Sequence, residues 1–436
     1  MSLISRRVGL QVHDRIRSGL TIAVAMVGAL TVLGLILLWP KGEAPEIADQ
    51  PNDYVDGTIV DATPNNDCTD IEAGGPSRCV TYDVLLSDGA QKGEEVSFSV
   101  RPTQTEIPDL DVGDKIVLRH FPDSPAEFRY GFSDFQRSTP LVWLLVGFVA
   151  VVLVFGRVQG LRALAGLGLS LLVLVMFVVP ALLRDSPAIP VALVATAAVA
   201  FLAIYLAHGV NISSTIALAG SLVSLAVTCG LAIVAAAATQ LSGLANEDAQ
   251  TLRVTADALD LRGLLLAGIV IGALGVLDDV TVSPVSTVAA LRRANMRLGP
   301  RALYSEATKV GRDHVASAVN TLVLAYAGAS LPLLLFYAQG SQPLGRMLTG
   351  EPVAVEIVRM LVGSIGLVLS VPVTTALAAI VLHRTTAERL PADDGHGHDH
   401  GQRYRPKVTA PTAPGTWAQW PGPEPPAPGG TTEPWF

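Results

Sequence analysis

Two aspartates stand side by side at the end of a long apolar run, Gly268-Ile-Val-Ile-Gly272-Ala-Leu-Gly275-Val-Leu-Asp278-Asp279-Val-Thr281-Val-Ser283-Pro284. Adjacent side chains on a helix point about 100° apart, so the pair covers two faces. Pro284 lacks an N–H; it is expected to free the carbonyl near position 280 and to kink or end the helix. Carboxylates beside unpaired carbonyls supply hard oxygen ligands for cations or protons. A second cluster, Gly311-Arg312-Asp313-His314-Val-Ala-Ser317-Ala-Val-Asn320-Thr321, opens the next apolar run. Asp313, Ser317 and Asn320 share one helical face at spacings of four and three. Ionisable groups are expensive inside an apolar span, so each marks a candidate pathway. Carboxylates grouped with a histidine are the parts of a proton or cation relay, because repulsion and burial raise a carboxylate's pKa. The competing reading is structural: Asp278 and Asp279 cap a helix or pair with Arg292, Arg293 or Arg312.

The elements that must position these groups are membrane spans. Half of the 436 residues are hydrophobic and only 16% are charged, against roughly 25% in a soluble domain. Mean hydropathy is +0.46. A net charge of -8 offers no footprint for nucleic acid. A bilayer core needs about 20 apolar residues per helix. Such runs occur at 19–39, 140–155, 163–183, 188–207, 212–240, 263–283, 315–338 and 355–383, which makes eight spans. The first is read as an uncleaved anchor, being longer than a signal peptide's apolar core and lacking an A-x-A site. With Arg6, Arg7, Arg15 and Arg17 in the cytoplasm, the loop bearing Arg157 and Arg162 falls inside. So do the long basic loop from Arg292 to Arg312 and the chain after His383, as the positive-inside rule requires. Both termini are then cytoplasmic, and Ala289–Arg312 is expected to lie flat on the headgroups. Ser214, Ser221, Ser224 and Thr228 form a seam in the fifth span, read as interhelical glue ahead of a substrate path. Pro180, Pro332 and Pro372 are candidate kinks.

Residues 40–138, outside the membrane on this topology, carry strand-like runs at Tyr54–Val60, Cys79–Leu86, Glu95–Val100 and Lys115–Arg119. Ser87-Asp88-Gly89 reads as a hairpin turn and Val112-Gly113-Asp114 as the turn before a last strand. The expectation is a small β-barrel, OB-like in size and strand number. Cys68 and Cys79 flank a Gly-rich loop on the oxidising side and are read as a disulfide. Cys229 lies in a span as a small packing residue. Beyond residue 384 the chain is His- and Pro-rich and reads as a disordered cytoplasmic tail. There His396, His398 and His400 alternate with glycine and acids, a compositional signal for weak metal binding, and an incidental polar tail is the preferred reading. No G-x-x-x-x-G-K-[ST], H-E-x-x-H or G-x-S-x-G occurs, so neither ATP-driven transport by this chain nor enzymatic hydrolysis is indicated. No cofactor is implied.

The runs around Gly272–Ser283, Arg292-Arg293-Ala-Asn295, Val310–His314 and Asn320-Thr-Leu-Val-Leu-Ala-Tyr326-Ala-Gly-Ala-Ser330-Leu-Pro332 resemble the YibE/F-like family of bacterial multipass membrane proteins. The resemblance covers roughly residues 50–383. It implies a bacterial plasma-membrane protein with a β-type domain ahead of its helical core, and permease-like activity. The combined expectation is an α-helical polytopic membrane protein in five parts. These are a cytoplasmic segment (1–18), a first helix (19–39), the extracytoplasmic β domain (40–138), a seven-helix core (139–383) and the tail (384–436). Asp278, Asp279, Asp313 and His314 would couple ion movement to a small solute or ion, with Asn320 along the path. The alternative is a membrane scaffold or sensor whose outer domain binds a ligand or protein partner. A homo-oligomer is compatible with either.

Overall fold

The computed structural model describes residues 3–42, 53–70, 75–100, 107–125, 128–255, 259–339, 343–383 and 385. The chain divides into two units, Met1–Pro391 and Ala392–Phe436, and the second lies outside the described residues. The first unit opens with helix α1 (Leu3–Leu37), followed by five strands: β1 (Asp53–Asp70), β2 (Gly75–Leu86), β3 (Glu95–Val100), β4 (Lys115–His120) and β5 (Tyr130–Phe135). The rest is helical: α2 (Ser138–Val173), a π-helical segment (Leu174–Val178), α3 (Val179–Leu183), α4 (Ala188–His208), α5 (Ile212–Ala238) and α6 (Glu247–Thr255). Then come α7 (Leu261–Ala294), α8 (Pro300–Ala329), α9 (Leu331–Gln339), α10 (Leu344–Thr349) and α11 (Glu351–Leu382).

The strands form one antiparallel sheet in the order β3-β2-β1-β4-β5, curled into a half-barrel. Alternation along each strand aims Ile59, Val84, Leu86, Phe98, Ile116 and Leu118 into a common core. Three of the four named strand-like runs agree with the ladder to within a few residues, and β1 runs on well past Val60 to Asp70. β5 is additional: its aromatics carry Gly131, Ser133 and Asp134 between them, next to an apolar span. The β2–β3 connection is a loop over 87–94, not a tight turn at Ser87-Asp88-Gly89; Gly93 N–H donates back to Leu86 O at 2.9 Å. The turn before β4 is as expected, with Gly113 at φ +101, a left-handed conformation that glycine tolerates.

Among the described residues six helices are long and apolar enough to cross a membrane, or seven with α8 and α9 counted as one span bent by 56°. Within the 46-residue stretch Ser138–Leu183, Arg157 adopts φ 46, ψ -124 and breaks the helix. The chain folds back there, so that a methyl placed on Gly160 would overlap the Val152 carbonyl. In a straight helix those two residues would be about 12 Å apart along the axis.

The centre of the bundle is α5, α7 and α11, with α4 and α8 packed around them. Local signals start several of the helices. Asn211 Oδ1 accepts from Ser214 N–H at 2.9 Å at the head of α5, and Asp260 Oδ1 accepts from Gly263 N–H at 2.9 Å at the head of α7, both N-caps. Proline occupies the first turn of α8 and of α11, where its missing N–H costs nothing. Two expectations about the α7–α8 region are corrected. Pro284 does not end α7, which continues to Ala294; in a packed membrane bundle neighbouring groups offset the lost hydrogen bond. Nor is Ala289–Arg312 a connector separate from the bundle: α7 and α8 both run through it and are joined over 295–299. The reason is an apolar stripe, Leu303 and Ala307, which buries against Val285, Val288 and Ala289 of α7 and Ala378 and Leu382 of α11. Arg292, nearly buried, closes the turn by donating to the carbonyls of Met296 and Leu298, so its guanidinium is committed to that turn.

Candidate functional site

Asp278 and Asp279 lie in the middle turns of α7; their side chains fall outside the described residues. The turn that carries them is well placed. Val276 and Val280 share one hydrophobic cluster with Val315, Ala318 and Val319 of α8 and with Leu367 and Val371 of α11. The two polar segments of the sequence therefore run side by side at one level of the bundle. Asp313, His314 and Asn320 are exposed on α8; Asp313 and Asn320 lie on the side away from its packed face of Gly311 and Leu322, and His314 lies at the flank of that face. Among the described residues no hydrogen bond or ion pair ties Asp313, His314 or Asn320 to a neighbour. The structure thus brings the segments together without closing a site around these three side chains.

Above that level lies a group that the sequence reading passed over. Arg359 Nη1 donates to Glu356 Oε1 at 2.8 Å, an ion pair three residues apart on α11. The same guanidinium stands 5.8 Å from the centre of the Tyr326 ring on α8, within the range of a cation–π contact. The Tyr326 hydroxyl in turn reaches α7, 2.6 Å from where a methyl on Gly272 would sit. Among the described residues the glycine row of α7 therefore has one close partner, at Gly272; beyond the helix's own backbone nothing described lies within 4 Å of the corresponding position on Gly268 or Gly275. The sequence signal was there: Glu356 and Arg359 at helical spacing inside an apolar run. A hydropathy window averages two opposite charges away.

The Ser/Thr seam of α5 is an interlock with α11. Thr374 Oγ1 fills the space over Gly220, and Thr228 Oγ1 fills the space over Gly366. The pairs 220/374 and 228/366 fix an antiparallel register that sets Ser224 level with Ser370. Ser221 Oγ and Thr281 Oγ1 bond across α5 and α7 at 2.7 Å, both buried. Thr228 donates to Ser224 O and Ser370 to Leu367 O within their own helices. Ser224, Thr374 and Thr375 hydroxyls are buried without a hydrogen-bond partner. Small residues and hydroxyls at a crossing are what close helix contact in lipid requires.

Cys79 is disulfide-bonded and Cys229 is a free, buried thiol. The Cys68 side chain lies outside the described residues; its backbone sits in β1 beside an irregularity between the pairs Asn65–Cys79 and Cys68–Ser77. His396, His398 and His400 also lie outside them, and among the described residues no three His, Cys, Asp or Glu gather as a metal site. No curated protein and no solved structure matches the chain. The model of the YibE/F-like proteins matches residues 144–384, more than half of the chain and all of the helices just described from α2 onward except its first turns, so the chain belongs to the YibE/F-like family.

Proposed function

We propose that this membrane protein is a non-enzymatic secondary transporter or ion-coupled permease for a small solute or ion. The observation that carries this reading is the packing of the Asp278-Asp279 turn of α7 against residues 315–319 of α8. It sets the α7 turn that carries the two aspartates level with the α8 segment just after Asp313 and His314, in a bundle made mostly of apolar side chains and hydroxyls. Two further features agree. α8 and α9 are broken at Ser330 with a 56° bend, and discontinuous helices are how transporters expose backbone groups to a substrate. Glu356, Arg359 and Tyr326 extend the polar column towards the start of α11.

The accompanying topology has eight spans in a bacterial plasma membrane, with both termini cytoplasmic. Counting the fold-back at Arg157 as a cytoplasmic turn and α8–α9 as one bent span gives that number. The outer sheet is OB-like: its order β3-β2-β1-β4-β5 leaves β3 and β5 as the edges a barrel would close. Cys68 is the remaining partner for Cys79.

Charge displacement recorded on proteoliposomes after pH and cation jumps tests the reading. Wild type is expected to give a pH-dependent current that the folded Asp278→Asn/Asp279→Asn variant loses. A current of equal size in that variant removes these carboxylates from the mechanism.

A further inference from the structure

A groove of about 400 Å³ runs between the second half of α2, α4 and α7. It is hollowed by small residues: Gly166 on α2, Ala195, Ala203 and Ala207 on α4, and Gly275 on α7. The two hydroxyls in its wall are already spent on backbone carbonyls, Ser170 on Gly166 at 2.8 Å and Thr196 on Ala192 at 2.6 Å. The slot is apolar apart from one charge, Arg162, which lines the end where α2 resumes after its break. Among the described residues Arg162 has no hydrogen bond or ion pair. From Arg162 to Leu174 the wall extends about 18 Å at helical rise, against ~15 Å for one leaflet of a ~30 Å hydrocarbon core. At its far end the wall reaches Leu174, the first residue of the π-helical segment, whose buried Phe177 stacks on Trp39 with ring centres 6.0 Å apart. Such π insertions occur often at functional sites.

We propose that this groove holds one acyl chain of an anionic phospholipid, with the lipid phosphate at Arg162. A slot of leaflet depth with an unbalanced cation at one end is complementary to an amphiphile with a negative head and an apolar tail. A zwitterionic lipid fills the same slot with a weaker contact at the head. Arg162 lies at the cytoplasmic surface if the eight-span topology holds. The site itself requires only that the bundle stand in a bilayer, and it is independent of transport.

The experiment uses the full chain, purified in mild detergent and stripped of lipid, then offered equimolar phosphatidylglycerol and phosphatidylcholine of identical chains. Lipid retained per chain is read by native mass spectrometry. Wild type is expected to keep one phosphatidylglycerol. Arg162→Gln is expected to lower the phosphatidylglycerol-to-phosphatidylcholine ratio about fivefold, the fold-change of about 1 kcal/mol for one basic residue at an anionic surface. Arg162→Lys retains the preference, and Ala203→Leu, which fills the slot, lowers retention of both lipids. The proposal is overturned by an equal ratio in wild type and Arg162→Gln, by unchanged retention in folded Ala203→Leu, or by a wild-type groove occupied only by free fatty acid or a second copy. Arg162 is exposed and its replacement leaves the fold intact, so the Gln/Lys pair decides even if Ala203→Leu does not fold.

Discussion

Gly366→Ala should act through one hydroxyl on another helix. A methyl at Gly366 would overlap Thr228 Oγ1 and approach Thr228 Cβ and Cγ2 to 3.2 and 3.3 Å. Thr228 is fully buried and its hydroxyl is held by Ser224 O at 2.8 Å. Rotating χ1 only exchanges the hydroxyl for a methyl of similar size. Overpacking of this kind costs about 1–3 kcal/mol, while helix propensity favours alanine over glycine by about 1 kcal/mol. The net effect of the single substitution is therefore a loss of roughly 0–2 kcal/mol, too close to zero to decide anything alone. The decisive quantity is the coupling with Thr228→Ala. Once the threonine is gone, alanine at 366 keeps its propensity gain and loses its clash, so the cycle should show ~1–3 kcal/mol of coupling, well above the ~0.5 kcal/mol scatter of independent sites. Cys229 supplies the readout: it is free and buried beside Thr228, so a thiol-reactive fluorogenic dye reports the opening of α5 on heating. Additive melting shifts in the double variant would refute the interlock.

Three further outcomes are expected. Glu356→Leu should destabilise the bundle by about 1–3 kcal/mol, since it strands a guanidinium that is three-quarters covered; Glu356→Leu/Arg359→Leu should melt closer to wild type, and a double variant worse than the single one would contradict the ion-pair account. Non-reducing peptide mapping should recover the Cys68 and Cys79 peptides joined, and reduction should speed hydrogen exchange along β1 and β2, since closing so short a loop is worth about 3 kcal/mol. Arg157→Cys should react with a membrane-impermeant maleimide in inside-out vesicles and not in right-side-out ones; the reverse pattern would remove the cytoplasmic turn.

Much of the helical frame is legible because lipid imposes a simple demand: about 20 apolar residues per crossing, with cations left inside. The caps at Asn211 and Asp260 and the break near Pro332 follow from local rules that hold in any solvent. What the sequence hides is pairwise. Pro284 reads as a kink or an end, and of the two the end does not occur, because a proline's cost depends on neighbours that a single helix does not reveal. The apolar stripe Leu303–Ala307 is short and interrupted by charge, so it reads as surface until α7 and α11 are placed beneath it. The Gly220–Thr374 and Gly366–Thr228 pairs lie more than a hundred residues apart, and no window joins them. β5 is lost for the opposite reason, since its aromatics adjoin a stronger apolar signal.

These pairings also say where movement can occur. α5, α7 and α11 are held by two glycine–threonine interlocks and by the Ser221–Thr281 bond, each of which must break before those helices can slide. α8 has no such lock along its outer half. There it touches the core through Val315, Ala318, Val319, Leu322 and Tyr326 and leaves Asn320, Val323 and Leu324 exposed. It then ends in the bend at Ser330. Asn320 lies about 10 Å further along the helix than Asp313, and an uncovered amide is costly in hydrocarbon. A helix that shows its polar side outward beside a rigid carboxylate-bearing partner is the element that opening and closing would shift. On the transporter reading, therefore, α5–α7–α11 is the frame, α8–α9 is the moving arm, and the Tyr326 contacts with Arg359 and Gly272 are the latch between them.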